Sequence, residues 1–165
     1  MAAIATGGPY LGLSVERRHP RGAGNPARVR ASLTLTPALL MPAPDTLERF
    51  IALVERNAHV DAVENFYTAD ASMQENQSAP RVGRDAHSAN ERRVLARAKS
   101  LTSTCVRPVF VNGDHVVIRW IFQFQWLDGT ATRIEELAYQ RWDGERIAEE
   151  TFFYDPAQLV PKPAP

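Results

Sequence analysis

The 165-residue chain has a single cysteine, Cys105, which excludes an internal disulfide framework. Cys105 falls in a stretch with strand periodicity and reads as a small buried hydrophobe rather than a reactive thiol. No apolar run approaches the ~18 residues that a membrane-spanning helix needs, so none is expected. An excess of one charge is also missing, since Lys+Arg and Asp+Glu each total 19. That balance removes the electrostatic case for binding nucleic acid or an anionic membrane. Gly-rich phosphate loops, Gly-x-Ser-x-Gly and Cys-x-x-Cys are absent, which argues against nucleotide hydrolysis, serine-esterase chemistry and thiol redox.

The residues present divide the chain unevenly. Residues 1–44 hold six of the 12 prolines, five of the nine glycines and five arginines against one acid, with no sustained period. They read as a disordered or loosely attached extension, with Met41 favoured as the natural start. The remainder carries 14 basic and 18 acidic residues and is 44% apolar over the whole chain, enough for one domain with a core. Pro161, Pro163 and Pro165 mark a frayed tail at 160–165.

Asp45 and Glu48 have capping-box spacing at the start of a first helix. Leu47, Phe50, Ile51, Val54 and Ala58 then share one helical face. After a break at Asn57–His59, a second short helix turns Val60, Val63, Phe66 and Tyr67 inward. A strand over 71–77 follows, and a third helix from about Asp85 to Lys99 places His87, Glu91, Val94, Leu95 and Ala98 on its inner face.

From Leu101 the period becomes two. Four strands are predicted over 101–111, 116–126, 132–142 and 146–154, joined by Asn112-Gly113-Asp114, Asp128-Gly129 and Asp143-Gly144, each of which suits a tight hairpin. Pro108 implies an edge position or a bulge. Val116, Ile118, Trp120, Phe122, Phe124 and Trp126 share one face, with Arg119, Gln123 and Gln125 on the other. The same parity turns Ile134, Glu136, Ala138 and Gln140 inward, and on the last strand Ala148, Glu150, Phe152 and Tyr154. The fold class is therefore α+β: a cone-shaped, curved antiparallel sheet with three helices packed on its concave face.

That element order, the turn Tyr67-Thr68-Ala69-Asp70-Ala71, the pair Glu75-Asn76, Val82-Gly83-Arg84 and the closing Tyr154-Asp155-Pro156 resemble the nuclear-transport-factor-2-like superfamily. The likeness is to its SnoaL-like polyketide-cyclase and steroid delta-isomerase branch. It spans residues 45–159 and implies a cystatin-like topology. In the isomerases an aspartate at the end of the first strand moves the proton, and Glu75 holds the matching position. The isomerase oxyanion hole uses a tyrosine on the first helix and a protonated aspartate on the sheet, as in a well-described example of carboxyl tuning. The resemblance puts Phe50 and Ala138 there, neither of which has a side chain that donates a hydrogen bond. Steroid isomerisation by that route is not expected.

The site expected from these readings centres on Glu75 as general base or ligand anchor, unless it is salt-bridged to a third-helix arginine. Tyr67, His87 or Tyr154 would orient a substrate oxygen. Asn76, Glu91, Glu136, Glu150, Trp120, Phe122, Phe124 and Phe152, with Phe50 and Ala138, would line the pocket. His87 and Glu91 share a helix face, but no third ligand is signalled, so a metal site is not expected. The function expected is cofactor-independent acid/base chemistry of the isomerase, cyclase or hydratase kind on a small hydrophobic molecule. The alternative is a non-catalytic ligand-binding or interaction module of the same fold. A homodimer through the outer sheet face and a cytoplasmic location complete the expectation.

Overall fold

A computed structural model describes residues 41–163. The extension expected over residues 1–44 therefore lies almost wholly outside the described residues.

Three helices are followed by a sheet built mostly from hairpins. They are α1 (Pro44–Glu55), α2 (His59–Phe66) and α3 (Arg84–Leu95). The strands are β1 (Tyr67–Glu75), β2 (Arg81–Val82), β3 (Ala98–Asn112), β4 (His115–Trp126), β5 (Thr130–Asp143), β6 (Arg146–Phe153) and β7 (Lys162–Pro163), with a 3-10 turn at Pro156–Leu159. The sheet order is β2-β1-β6-β5-β4-β3, and β7 pairs with β5. All pairings are antiparallel except β1 with β6, which is parallel, so the sheet is mixed. A parallel partner requires a long crossover, and the whole of α3 to β5 supplies it.

α1 starts earlier than the Asp45 cap predicts. Its N-cap is Ala43 without a side-chain hydrogen bond, and Pro44 takes the first turn, where its fixed φ suits the helix and its missing N–H costs nothing. Leu47, Phe50, Ile51 and Val54 are buried as the period requires. The break before α2 is Asn57 at φ 61°, a left-handed conformation that asparagine tolerates. Tyr67 leaves the helical path and opens β1, four residues before the expected strand start. α3 begins after Gly83 at φ 100°, and Ala98 belongs to β3 rather than to that helix.

The concave face follows the predicted parity over most of its length. Val116, Ile118, Trp120 and Phe124 are buried, while Arg119, Gln123 and Gln125 are exposed. Trp120 pairs with Glu136, Ala138 with Phe152, and Gln140 with Glu150. A register shift after Arg141 reverses the parity at the β5–β6 hairpin, so Trp142 and Ile147 are fully buried and Ala148 is only half-buried. Pro108 satisfies both of its expectations, since β3 is an edge strand and its register with β4 shifts between Val106 and Phe110. Lys162 and Pro163, expected in a frayed tail, pair with Ala131 and Thr130. Among the described residues no helix is long and apolar enough to cross a membrane.

Candidate functional site

The concave face and the helices do not close on each other completely. A cavity of about 370 Å³ remains, with a wall from β1, β4, β5 and β6 and another from α1, α2 and α3. Phe50, Trp120, Phe122, Phe124 and Phe152 are among its apolar lining. Trp120 and Phe122 stack with centroids 5.8 Å apart, and Phe124 stacks on Trp126 at 4.6 Å. A second hollow of about 470 Å³ lies beside α1. Its Arg49 donates to Thr46 and its Arg146 to the carbonyls of Asn65 and Tyr67.

Three glutamates reach the cavity from the sheet, each in different surroundings. Glu150 is 2% exposed and receives hydrogen bonds from the Tyr67 hydroxyl and from Gln140 Nε2 at 2.7 Å. Trp142 Nε1 donates to Gln140 Oε1 at 3.0 Å, which fixes the amide so that its NH2 faces the carboxyl. Burial raises Glu150 to about 7, and the donors from Gln140 and Tyr67 moderate the rise. Tyr67 is itself raised well above an ordinary tyrosine by burial and then by the Glu150 charge. Glu136 is half-buried and has no side-chain hydrogen bond among the described residues. Burial, followed by the charges of Glu150, Glu75 and Glu91, lifts it to about 8. Glu75 is exposed at the end of β1, where the Tyr154 hydroxyl donates to it. Tyr154 is raised, first by desolvation and then by that bond. The salt bridge between Glu75 and a third-helix arginine is not formed among the described residues, and Arg92 pairs with Glu64 instead.

The other expected residues divide clearly. Tyr67, Glu75, Phe50, Glu91, Trp120, Phe122, Phe124, Glu136, Glu150, Phe152 and Tyr154 line the cavity. His87, Asn76 and Ala138 are outside its lining. His87 is fully buried and its Nε2 donates to the Ala71 carbonyl at 2.8 Å, beside the Gly83 N–H that bonds the same oxygen. It ties the start of α3 to β1, and burial lowers its basicity. The ring stands behind the cavity lining, 6.3 Å from that of Tyr67, and its tie to the backbone is the contact the structure shows for it. Asn76 sits at φ 49° and accepts from the Tyr154 N–H at 3.1 Å, a turn role rather than a ligand contact. Ala138 is fully buried against its neighbours Ile118 and Phe152 in the sheet.

His59 was not expected and does line the cavity, packed on Phe122 with centroids 5.6 Å apart. The helical period could have found it. His59 stands one and two turns before Val63 and Phe66, both inward. Glu91, which shares a helix face with His87, lies 3.7 Å from His59 Nδ1. Among the described residues no group of three or more His, Cys, Asp or Glu is arranged to hold a metal ion.

A SnoaL-like domain model matches residues 47–150. The chain belongs to the SnoaL-like domain family. No curated protein matches it in sequence. Among solved structures, this SnoaL-like chain is similar to a ketosteroid-isomerase-like-fold protein from Catenulispora acidiphila in complex with trimethylamine, at TM-score 0.60 and 19% identity, covering 72% of this chain and 91% of that one. It is similar to an LEH-like epoxide hydrolase of M. tuberculosis at TM-score 0.59 and 14% identity, covering 74% and 86%. A candidate SnoaL-like polyketide cyclase from Mesorhizobium loti aligns at TM-score 0.57 and 18% identity, covering 67% and 97%. At these identities the likeness establishes the fold, and activity has to be argued from the site.

Proposed function

We propose that the cavity binds a small, mainly apolar molecule and moves a proton on it without a cofactor, as an isomerase, cyclase or hydratase. The observation that carries this reading is the unlike surroundings of the carboxyls on one wall. Glu136 is held protonated at neutral pH and, among the described residues, is given no acceptor by the protein. It is therefore a donor waiting for a substrate oxygen. Glu75 sits at the open end, steadied by Tyr154, and takes the proton. A C–H beside a carbonyl loses its proton to Glu75, and the electron pair moves onto the carbonyl oxygen against Glu136. Return of the proton to a different carbon gives the isomer. The epoxide hydrolase and cyclase descriptions of similar structures are compatible with this substrate class.

Deuterium exchange at the α-carbon of β-tetralone in D2O tests the assignment. The wild-type chain is expected to accelerate exchange, and Glu75→Gln to abolish it while ligand affinity is retained. Undiminished exchange in Glu75→Gln would remove Glu75 as the base.

The outer sheet face supports a homodimer in the same reading. Leu137, Tyr139 and Phe153 are exposed by 45%, 44% and 45%, and Leu137 pairs directly with Phe153. Ion pairs of Arg119 with Glu135 and Arg141 with Glu149 flank this patch, an apolar centre with a polar rim. Light scattering at micromolar concentration is expected to give twice the chain mass, and a monomer would exclude this interface. A cytoplasmic location belongs to the same reading.

A further inference from the structure

The helix wall of the cavity carries a hydrogen-bond chain whose direction can be worked out. Asn57 Nδ2 donates to the Leu101 carbonyl at 3.0 Å, so Asn57 Oδ1 is the end that faces Ser103. The Ser103 hydroxyl donates to that Oδ1 at 2.8 Å. A hydroxyl has one hydrogen, so Ser103 Oγ can only accept from His59 Nε2, 2.9 Å away. The neutral ring is thereby fixed with its proton on Nε2 and its lone pair on Nδ1. Glu91 Oε2 lies 3.7 Å from Nδ1, beyond hydrogen-bond range and itself an acceptor. His59 and Glu91 both line the cavity, and their side chains are 13% and 22% exposed. On the helix wall, His59 Nδ1 and Glu91 are thus acceptors. The sheet wall presents the opposite character in Glu136, a proton donor without an acceptor.

We infer that the cavity is two-ended, with His59 Nδ1 as a specificity-determining acceptor for a ligand hydroxyl and Glu136 as the donor to a ligand carbonyl oxygen at the other end. The ligand class is an apolar, cyclic molecule with a carbonyl at one end and a hydroxyl at the other. Phe122 lies under His59, and Trp120, its neighbour on the same face of β4, lies beside Glu136. The apolar body of the ligand spans these two rings. Glu91 assists by stabilising the imidazole when it draws the hydroxyl proton toward Nδ1. The inference rests on the proposed function for its carbonyl end, and its hydroxyl end stands on the His59 chain alone.

Two measurements test it. Long-range proton–nitrogen correlation, with the His59 signals assigned from a His59→Gln spectrum, is expected to show the Nε2–H tautomer in the neutral ring. Ser103→Ala should shift that ring toward a tautomer mixture, which a purely packing role for His59 would not predict. An Nδ1–H tautomer in the wild type overturns the inference. The second measurement compares β-tetralone with its ring-hydroxylated analogue by calorimetric titration. The hydroxyl is expected to improve affinity about five- to tenfold in the wild type, and the ratio of the two affinities, compared within each protein, to fall to about one in His59→Phe. A hydroxyl gain that survives in His59→Phe, or no gain in the wild type, overturns the His59 assignment and leaves the proposed function standing. Failure of both compounds to bind overturns the proposed function, and this inference with it.

Discussion

Replacing Glu136 by glutamine removes the most perturbed carboxyl of the cavity and keeps its shape. Its effect on stability can be worked from the structure. The folded state lifts Glu136 from 4.5 to about 8, so between those values the folded chain holds a proton that the unfolded chain has released. Stability therefore falls as pH rises through this window, and the contribution is fully present below 4.5 and lost above about 8. At 1.36 kcal/mol per pH unit between the two values the ceiling is about 5 kcal/mol. Glu136 borders a cavity that water can enter, and that screening reduces the expected loss to about 2–3 kcal/mol. Urea unfolding at pH 5 and pH 9 is the assay. For a domain of this size the wild-type midpoint should drop by about 1–2 M more between the two than that of Glu136→Gln, which keeps the slope from Glu150. The constant cost of burying an amide cancels in the comparison. Equal pH dependence in the two proteins would refute the claim that burial and neighbouring carboxylates hold Glu136 protonated.

Three further outcomes are expected. Tyr67→Phe should raise Glu150 above about 7, because a donor that favours its charged form is lost, and should cost about 1–3 kcal/mol in urea unfolding. Carbon NMR of the Glu150 carboxyl reads the first effect directly. Gly83→Ala meets no atom within 4 Å of the added Cβ, so its cost should be the backbone strain at φ 100° alone, about 1–2 kcal/mol by thermal or urea unfolding. His87→Gln can still donate to the Ala71 carbonyl, and it should lower stability while leaving tetralone binding unchanged. A loss of binding would return His87 to the cavity.

Much of this domain was legible before folding was considered. The alternation from Val116 to Trp126 identified the concave face, and it also predicted that Glu136 and Glu150 look inward with Trp120 and Phe152. The apolar face of α1 and the Pro108 irregularity were likewise local properties, readable from spacing and from the missing proline N–H. The site was legible in membership more than in roles. Eleven of the residues expected to act or bind line one cavity, yet spacing could not rank Glu75, Glu136 and Glu150, because desolvation depends on what packs above each of them.

The chain by itself determined which side chains share a face, since that needs only the periods of helix and strand. The tertiary structure alone decided which of them are bonded and which are left facing the cavity. The register shift at Arg141 exchanged Ala148 for Ile147 as the buried residue. The Ala71 carbonyl took His87 out of the site, and Ser103, far along the chain on β3, oriented His59 within it. Each of these outcomes depends on hydrogen bonds between segments distant in sequence. The proton positions that set Glu136 as a donor and His59 Nδ1 as an acceptor exist only once the sheet and helices have met.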